Sequence, residues 1–101
     1  MNVRFSIEAR AQIIEAKAYF LKQKRGRAVE FAREVRRIGP LLGEFPELGV
    51  SRGRLRLALL QGFPYAVLYE VRIDASYVSD LIHQGSERYA RFADFQEGNE
   101  P

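Results

Sequence analysis

A chain of 101 residues has room for one core, and its 47% hydrophobic and 29% charged residues are those of an ordinary globule. With no cysteine and one histidine, disulfides, thiolate metal sites and multi-histidine sites are excluded. No apolar run is long enough to span a bilayer, and the N-terminus lacks the charged-then-apolar pattern of a signal peptide, so a cytoplasmic protein without membrane, metal or cofactor is expected. The formal charge of +3 is uneven: ten bases and four acids fall between Lys22 and Arg56, a local +6 that leaves −3 elsewhere. Such asymmetry suits an acidic partner or simply a solvated face.

Val3, Phe5 and Ile7 alternate with Arg4 and Ser6, which predicts a short first strand. Ser6 then caps a helix whose first turn carries Glu8. Its inward stripe is Ala9, Ile13, Ala16 and Phe20, widened by Ala18 and Leu21. Gln23-Lys24-Arg25-Gly26 breaks it. A second helix turns Ala28, Phe31, Ala32, Val35 and Ile38 inward and Arg33, Arg36 and Arg37 outward, with a stop or sharp kink at Gly39-Pro40. So short a link makes the pair an antiparallel αα-hairpin.

Leu41 to Gly53 holds too many Gly and Pro residues for regular structure and reads as a packed loop, with Leu41, Leu42, Phe45 and Leu48 under the helices. Leu55 to Val71 then has a period of two on both sides of a Gln61-Gly62-Phe63-Pro64 turn, the pattern of an antiparallel hairpin. Leu55, Leu57 and Leu59, with Tyr65, Val67, Tyr69 and Val71, form the side expected against the helices. Arg54, Arg56 and Ala58, with Ala66, Leu68, Glu70 and Arg72, form the side expected to stay open. Asp74-Ala75-Ser76 is read as a turn and Tyr77 to Gln84 as a strand. Its parity leaves either Leu81/His83 or Ile82/Gln84 as the inward pair. Tyr89, Phe92 and Phe95 lie at helical spacing, and residues 93–101 are expected to fray. The order β-αα-βββ predicts one α+β domain over residues 1–101, an antiparallel sheet with the αα-hairpin on one face.

His83 could move a proton near neutral pH, although a lone strand-end histidine is more often a structural hydrogen-bonder. Arg54 and Arg56 suit phosphate or carboxylate recognition, or merely keep the sheet soluble. Arg33, Arg36 and Arg37 make a basic helix face. Arg88, Tyr89, Arg91 and Phe92 make an aromatic-basic tail suited to an interface. Tyr65 and Tyr69 read as core. There is no glycine-rich phosphate loop, nucleophile elbow or metal-spaced carboxylate pair.

RGRAVEFAREV at Arg25–Val35, LLGEFPELG at Leu41–Gly49, LRLALLQGFPYAVLYEV at Leu55–Val71 and LIHQ at Leu81–Gln84 resemble the RelE/ParE superfamily of bacterial type II toxins, the plasmid-stabilisation proteins. The resemblance runs from Val3 to Phe92. It implies a toxin held in a hetero-oligomer by a cognate antitoxin, whose C-terminal segment wraps it. Arg33, Arg36, Arg37, Arg54, Arg56, Arg88, Tyr89, Arg91 and Phe92 are then candidates to meet antitoxin or target. The RelE branch resembles a ribosome-dependent messenger ribonuclease, whereas the ParE branch resembles an inhibitor of DNA gyrase without a hydrolytic site. Of the basic positions the nuclease branch implies, one falls on Arg56 and is kept. Others fall on Ala58, on Ala66 and near Ser86-Glu87-Arg88, where only Arg88 could serve. Most of that set is missing, which points to the ParE branch. The alternatives are an mRNA endonuclease using Arg56, Glu70, His83 and Arg88, and a non-toxic member that only binds an antitoxin.

Overall fold

The computed structural model describes residues 2–93. Strand β1 (Asn2–Phe5) leads into helices α1 (Ile7–Gln23) and α2 (Arg25–Glu44); strands β2 (Val50–Arg52), β3 (Leu55–Leu59), β4 (Tyr65–Val71) and β5 (Ala75–His83) follow, and helix α3 (Glu87–Ala93) closes the order. The five strands form one sheet in the order β1-β5-β4-β3-β2. The α+β class with a helical pair on one face is as expected. The sheet, however, is mixed rather than antiparallel, because β1 pairs in parallel with the start of β5. Nothing in the local pattern of β1 encodes its partner; the crossover through both helices sets its direction.

Ser6 does cap α1, its Oγ accepting from the Ala9 N–H at 2.9 Å, and the same hydroxyl donates to the Ser79 carbonyl at the sheet edge. Ala9, Ala16 and Phe20 are buried as expected, but Ala18 and Leu21 face solvent, so the inward stripe of α1 is narrower than predicted. Helix α2 does not stop at Gly39-Pro40. A proline removes only the one bond its own N–H would have made, and Leu42, fully buried, draws the next turn into the core. The expected packed loop is therefore helix up to Glu44 and strand again at Val50–Arg52, and Phe45 and Leu48 are half exposed rather than tucked under. Ala75 and Ser76 likewise belong to β5, and the turn before it is closed by Arg72 N–H donating to the Ala75 carbonyl. Ala93 ends α3, while Phe95 and the rest of the tail expected to fray lie outside the described residues.

The main correction concerns the faces of the central hairpin. Leu60 N–H donates to the Tyr65 carbonyl across the turn, and the register that follows pairs Leu57 with Leu68, Ala58 with Val67 and Arg56 with Tyr69. Odd residues of β3 thus share a face with even residues of β4. Tyr65, Val67 and Tyr69 do face the helices, but Ala58 joins them there, in a core with Ala9, Phe20, Phe31, Ile38, Leu42 and Phe63. Leu55 and Leu57 lie on the outer face with Ala66, Leu68 and Ile82, covered by Tyr89 and Phe92 of α3. The sheet is apolar on both sides, and the second layer comes from the tail. In β5 a bulge opposite Leu68/Tyr69 adds one residue, so Val78 and Leu81, three apart, both face α1 and α2, and Ile82 faces α3. The alternation in YVSDLIH is broken for that reason.

Two polar contacts pin the connections. The buried Tyr69 hydroxyl accepts from Gly49 N–H and donates to the Pro46 carbonyl, both at 2.8 Å. A Cβ on Gly49 would sit 2.7 Å from the Leu57 carbonyl oxygen and 2.8 Å from the Tyr69 ring, so the loop closes there only with glycine. Glu34, buried on α2, accepts two N–H groups of Arg37 at 2.7 and 2.9 Å and the Gln61 N–H at 2.7 Å, tying the β3–β4 turn to the helix. The Arg37 bond holds the Glu34 carboxyl below the usual carboxylate range, Gln61 adding to it, against burial.

Three outcomes are expected. Ala58→Asp abolishes cooperative folding, an unpaired buried charge costing several kcal/mol, whereas Leu59→Asp, at a position 53% exposed, folds; urea titration of both variants checks the register, and the reverse result refutes it. Tyr69→Phe leaves two backbone groups unpaired and lowers stability by about 1–3 kcal/mol with an unchanged urea m value. Glu34→Gln costs about 1–2 kcal/mol at pH 7. Because the folded-state value is depressed, the Glu34 contribution is complete above the unfolded carboxylate value of about 4.3 and disappears as pH falls through the folded one, so wild type and variant converge in acid denaturation below that point.

Candidate partner-binding surface

The residues singled out for a nuclease-like centre are not brought together. Arg56 shares the helix-side face with Tyr69 and donates to the Gly49 and Glu47 carbonyls, so it braces a loop and is not displayed on an open sheet face as expected. His83 pairs with Tyr65, four residues away along β4, roughly 13 Å at about 3.3 Å per residue. Its Nδ1 accepts from Gly85 N–H at 2.8 Å, and its ring meets Tyr65 edge-on at 5.0 Å. Glu70 holds Arg72 at 2.9 Å, and Arg72 stacks over Tyr77. Arg88 grips Asp80 with two nitrogens at 2.9 and 3.0 Å. Burial pushes the Asp80 carboxyl up, but hydrogen bonds from Arg88, Gln12 and Ser79 outweigh it and leave it below its ordinary value. These partners consume the four side chains in four separate settings.

The basic residues also separate. Arg54 lies in the β2–β3 turn beside Gly53, which has a φ of +67°, and is exposed. Arg37 is bound to Glu34, whereas Arg33 and Arg36 are exposed on α2. Arg91 is exposed, 3.9 Å from Glu87. Tyr89 and Phe92, expected at an interface, instead cover the outer sheet face, with the Arg52 side chain donating to the Phe92 carbonyl at 2.5 Å. Ser86 caps that helix, accepting from Tyr89 N–H at 3.1 Å. With α3 seated there, the outer face is not the open platform the sequence suggests.

Two grooves stand out among the described residues for their apolar lining. One, about 510 Å³, runs between α1 and α2 and is lined by Phe5, Ile13, Ile14, Val35, Gly39 and Pro40, with Arg10 and Arg36 at its rims. Ile14 is 69% exposed there. It lies off the inward stripe of α1, and that surplus apolar residue was the signal in the sequence for a second contact face. The other groove, about 290 Å³, follows the β3 edge past Leu48, Val50, Leu57 and Leu59. Strand β2 covers β3 only as far as the Val50–Leu57 pair, because the chain leaves the sheet at Gly49 to reach the Tyr69 hydroxyl. Beyond that pair the β3 edge has no neighbouring strand among the described residues, and an extended segment could add to it. By contrast, the free end of β5 is already occupied: Gln12 accepts from Leu81 N–H at 2.8 Å. Among the described residues no group of three acidic, histidine or cysteine side chains is placed to hold a metal, and no helix is long and apolar enough to cross a membrane.

No model of a known protein family matches the chain, and no curated protein matches it. Among solved structures, a chain of the chromosomal ParDE toxin–antitoxin system from P. aeruginosa superposes with a TM-score of 0.72, over 82% of this chain and 95% of that one, at 12% identity. At that identity the likeness is one of fold: a helical hairpin laid on a sheet, the architecture expected from the sequence.

Proposed function

We propose that this chain is the toxin of a type II toxin–antitoxin pair, that it acts by binding DNA gyrase, and that a cognate antitoxin neutralises it in the cytoplasm. The observation that carries the reading is the shared fold with a ParDE chain over nearly that chain's whole length. The two grooves supply the physical basis for an antitoxin. An amphipathic helix can bury its apolar stripe against Ile13, Ile14 and Val35 while its carboxylates reach Arg10 and Arg36, and an extended segment can follow the uncovered β3 edge. Gyrase rather than messenger RNA is favoured because Arg56, Glu70, His83 and Arg88 are held apart, each by its own partner. A ribonuclease needs cations and a proton-transfer group converging on one phosphate.

Purified protein should inhibit gyrase supercoiling and leave messenger on ribosomes uncut; cleavage without inhibition would exchange one target for the other. Induction should arrest growth, and co-expression of the short reading frame beside this one should restore it. Ile14→Asp, at an exposed position, should weaken binding of that second protein at least about 30-fold with an unchanged melting temperature. Unaltered affinity by calorimetry would place the antitoxin elsewhere.

A further inference from the structure

The end of the αα-hairpin belongs to neither groove. Between Glu15 and Glu30 the chain carries Lys17, Lys22, Lys24, Arg25 and Arg27 and no acid. Lys22 lies in the last turn of α1, Lys24 is the single residue between the helices, and Arg25 opens α2, so folding gathers these charges at one tip. Lys17, Lys22, Lys24 and Arg25 are exposed, and among the described residues none of them forms an ion pair. Arg27 is held firmly beside them: it donates to the Gly62 carbonyl at 2.6 Å and stacks over Phe63 at 4.0 Å. The other basic cluster, Arg52, Arg54 and Arg56, lies around the β2–β3 turn, at the opposite end of β3 from the Gly62 turn that Arg27 touches. The run of bases that looks continuous in the sequence is therefore two surfaces, and the tip is the denser one.

We propose that this tip docks on the phosphate backbone of duplex DNA. Lysine is depleted at protein–protein interfaces but well suited to phosphate, which it meets as a point charge. Proteins that hold single strands add aromatic platforms for unstacked bases. Tyr19 is the single exposed aromatic of residues 17–27, beside five cations, and Phe20 is buried. Five cations with one exposed ring fit a paired, regularly charged backbone better than an unstacked strand. The cations also crowd the positive end of α2, whose first turn contains no acid and whose capping residue makes no side-chain hydrogen bond. That arrangement opposes the helix dipole, and a bound phosphate would relieve it. The inference does not depend on the toxin reading, since it concerns this protein and DNA alone.

Fluorescence anisotropy with a labelled duplex of about 20 base pairs tests it. Neutralising three to four phosphates gives a slope of log affinity against log salt near −3, so affinity should fall roughly 50-fold or more between about 50 and 200 mM salt. In Lys22→Ala/Lys24→Ala/Arg25→Ala the slope should drop to about −1 or less with an unchanged melting curve. Arg54→Ala/Arg91→Ala, away from the tip, should retain the wild-type slope. The proposal is overturned if the triple variant binds duplex as the wild type does, if single-stranded RNA of equal length binds more tightly, or if polyglutamate at equal charge displaces the duplex as readily as unlabelled duplex.

Discussion

The hydrogen bond from Leu60 N–H to the Tyr65 carbonyl decides more of this structure than its size suggests. It closes the central turn with four residues inside it and so pairs odd residues of β3 with even residues of β4. A register one residue away would turn every β3 side chain to the other face. With this register, Ala58, small and featureless, fits beneath α1 and α2, and the bulky Leu57 is sent to the other side. The sheet then has two apolar faces and needs two covers. Helix α3 is the second, fastened by Arg88 on Asp80 and by Arg52 on the Phe92 carbonyl.

The same register fixes what the polar residues can do. Arg56, opposite Tyr69, falls where the 46–49 loop crosses, and its guanidinium is used on backbone carbonyls. Glu34 reaches the turn from α2 and joins the helical layer to the sheet through Gln61. Arg56 thus braces the 46–49 loop, and His83 the turn that follows β5. The chain also offers contact surface: an apolar groove along its helices, an uncovered strand edge, and a positively charged tip.

These three surfaces are spatially distinct, which matters for a protein proposed to be both neutralised and active. The groove and the β3 edge lie along the body of the domain, while the cations cluster where α1 turns into α2. An antitoxin bound along the helices could leave the tip free, and the two contacts would then be governed separately.

Much of the fold was legible in the sequence because local physics determines it. Ser6 caps a helix because its hydroxyl reaches its own neighbour three residues on. Phe20 and Phe31 point inward because helical periodicity leaves them no other face, and Tyr69 faces the helices because alternation along β4 is unbroken. Other features were decided only by contacts between distant segments. No local pattern says that β1 will pair in parallel with β5, that Leu42 will carry α2 past a proline, or that Ser79 will bulge and shift the faces of β5. Arg56 looks exposed by strand alternation, yet which side of a sheet is covered depends on turn register and on whether a later helix returns to it. Alternation marks two faces; only tertiary packing assigns each of them its cover.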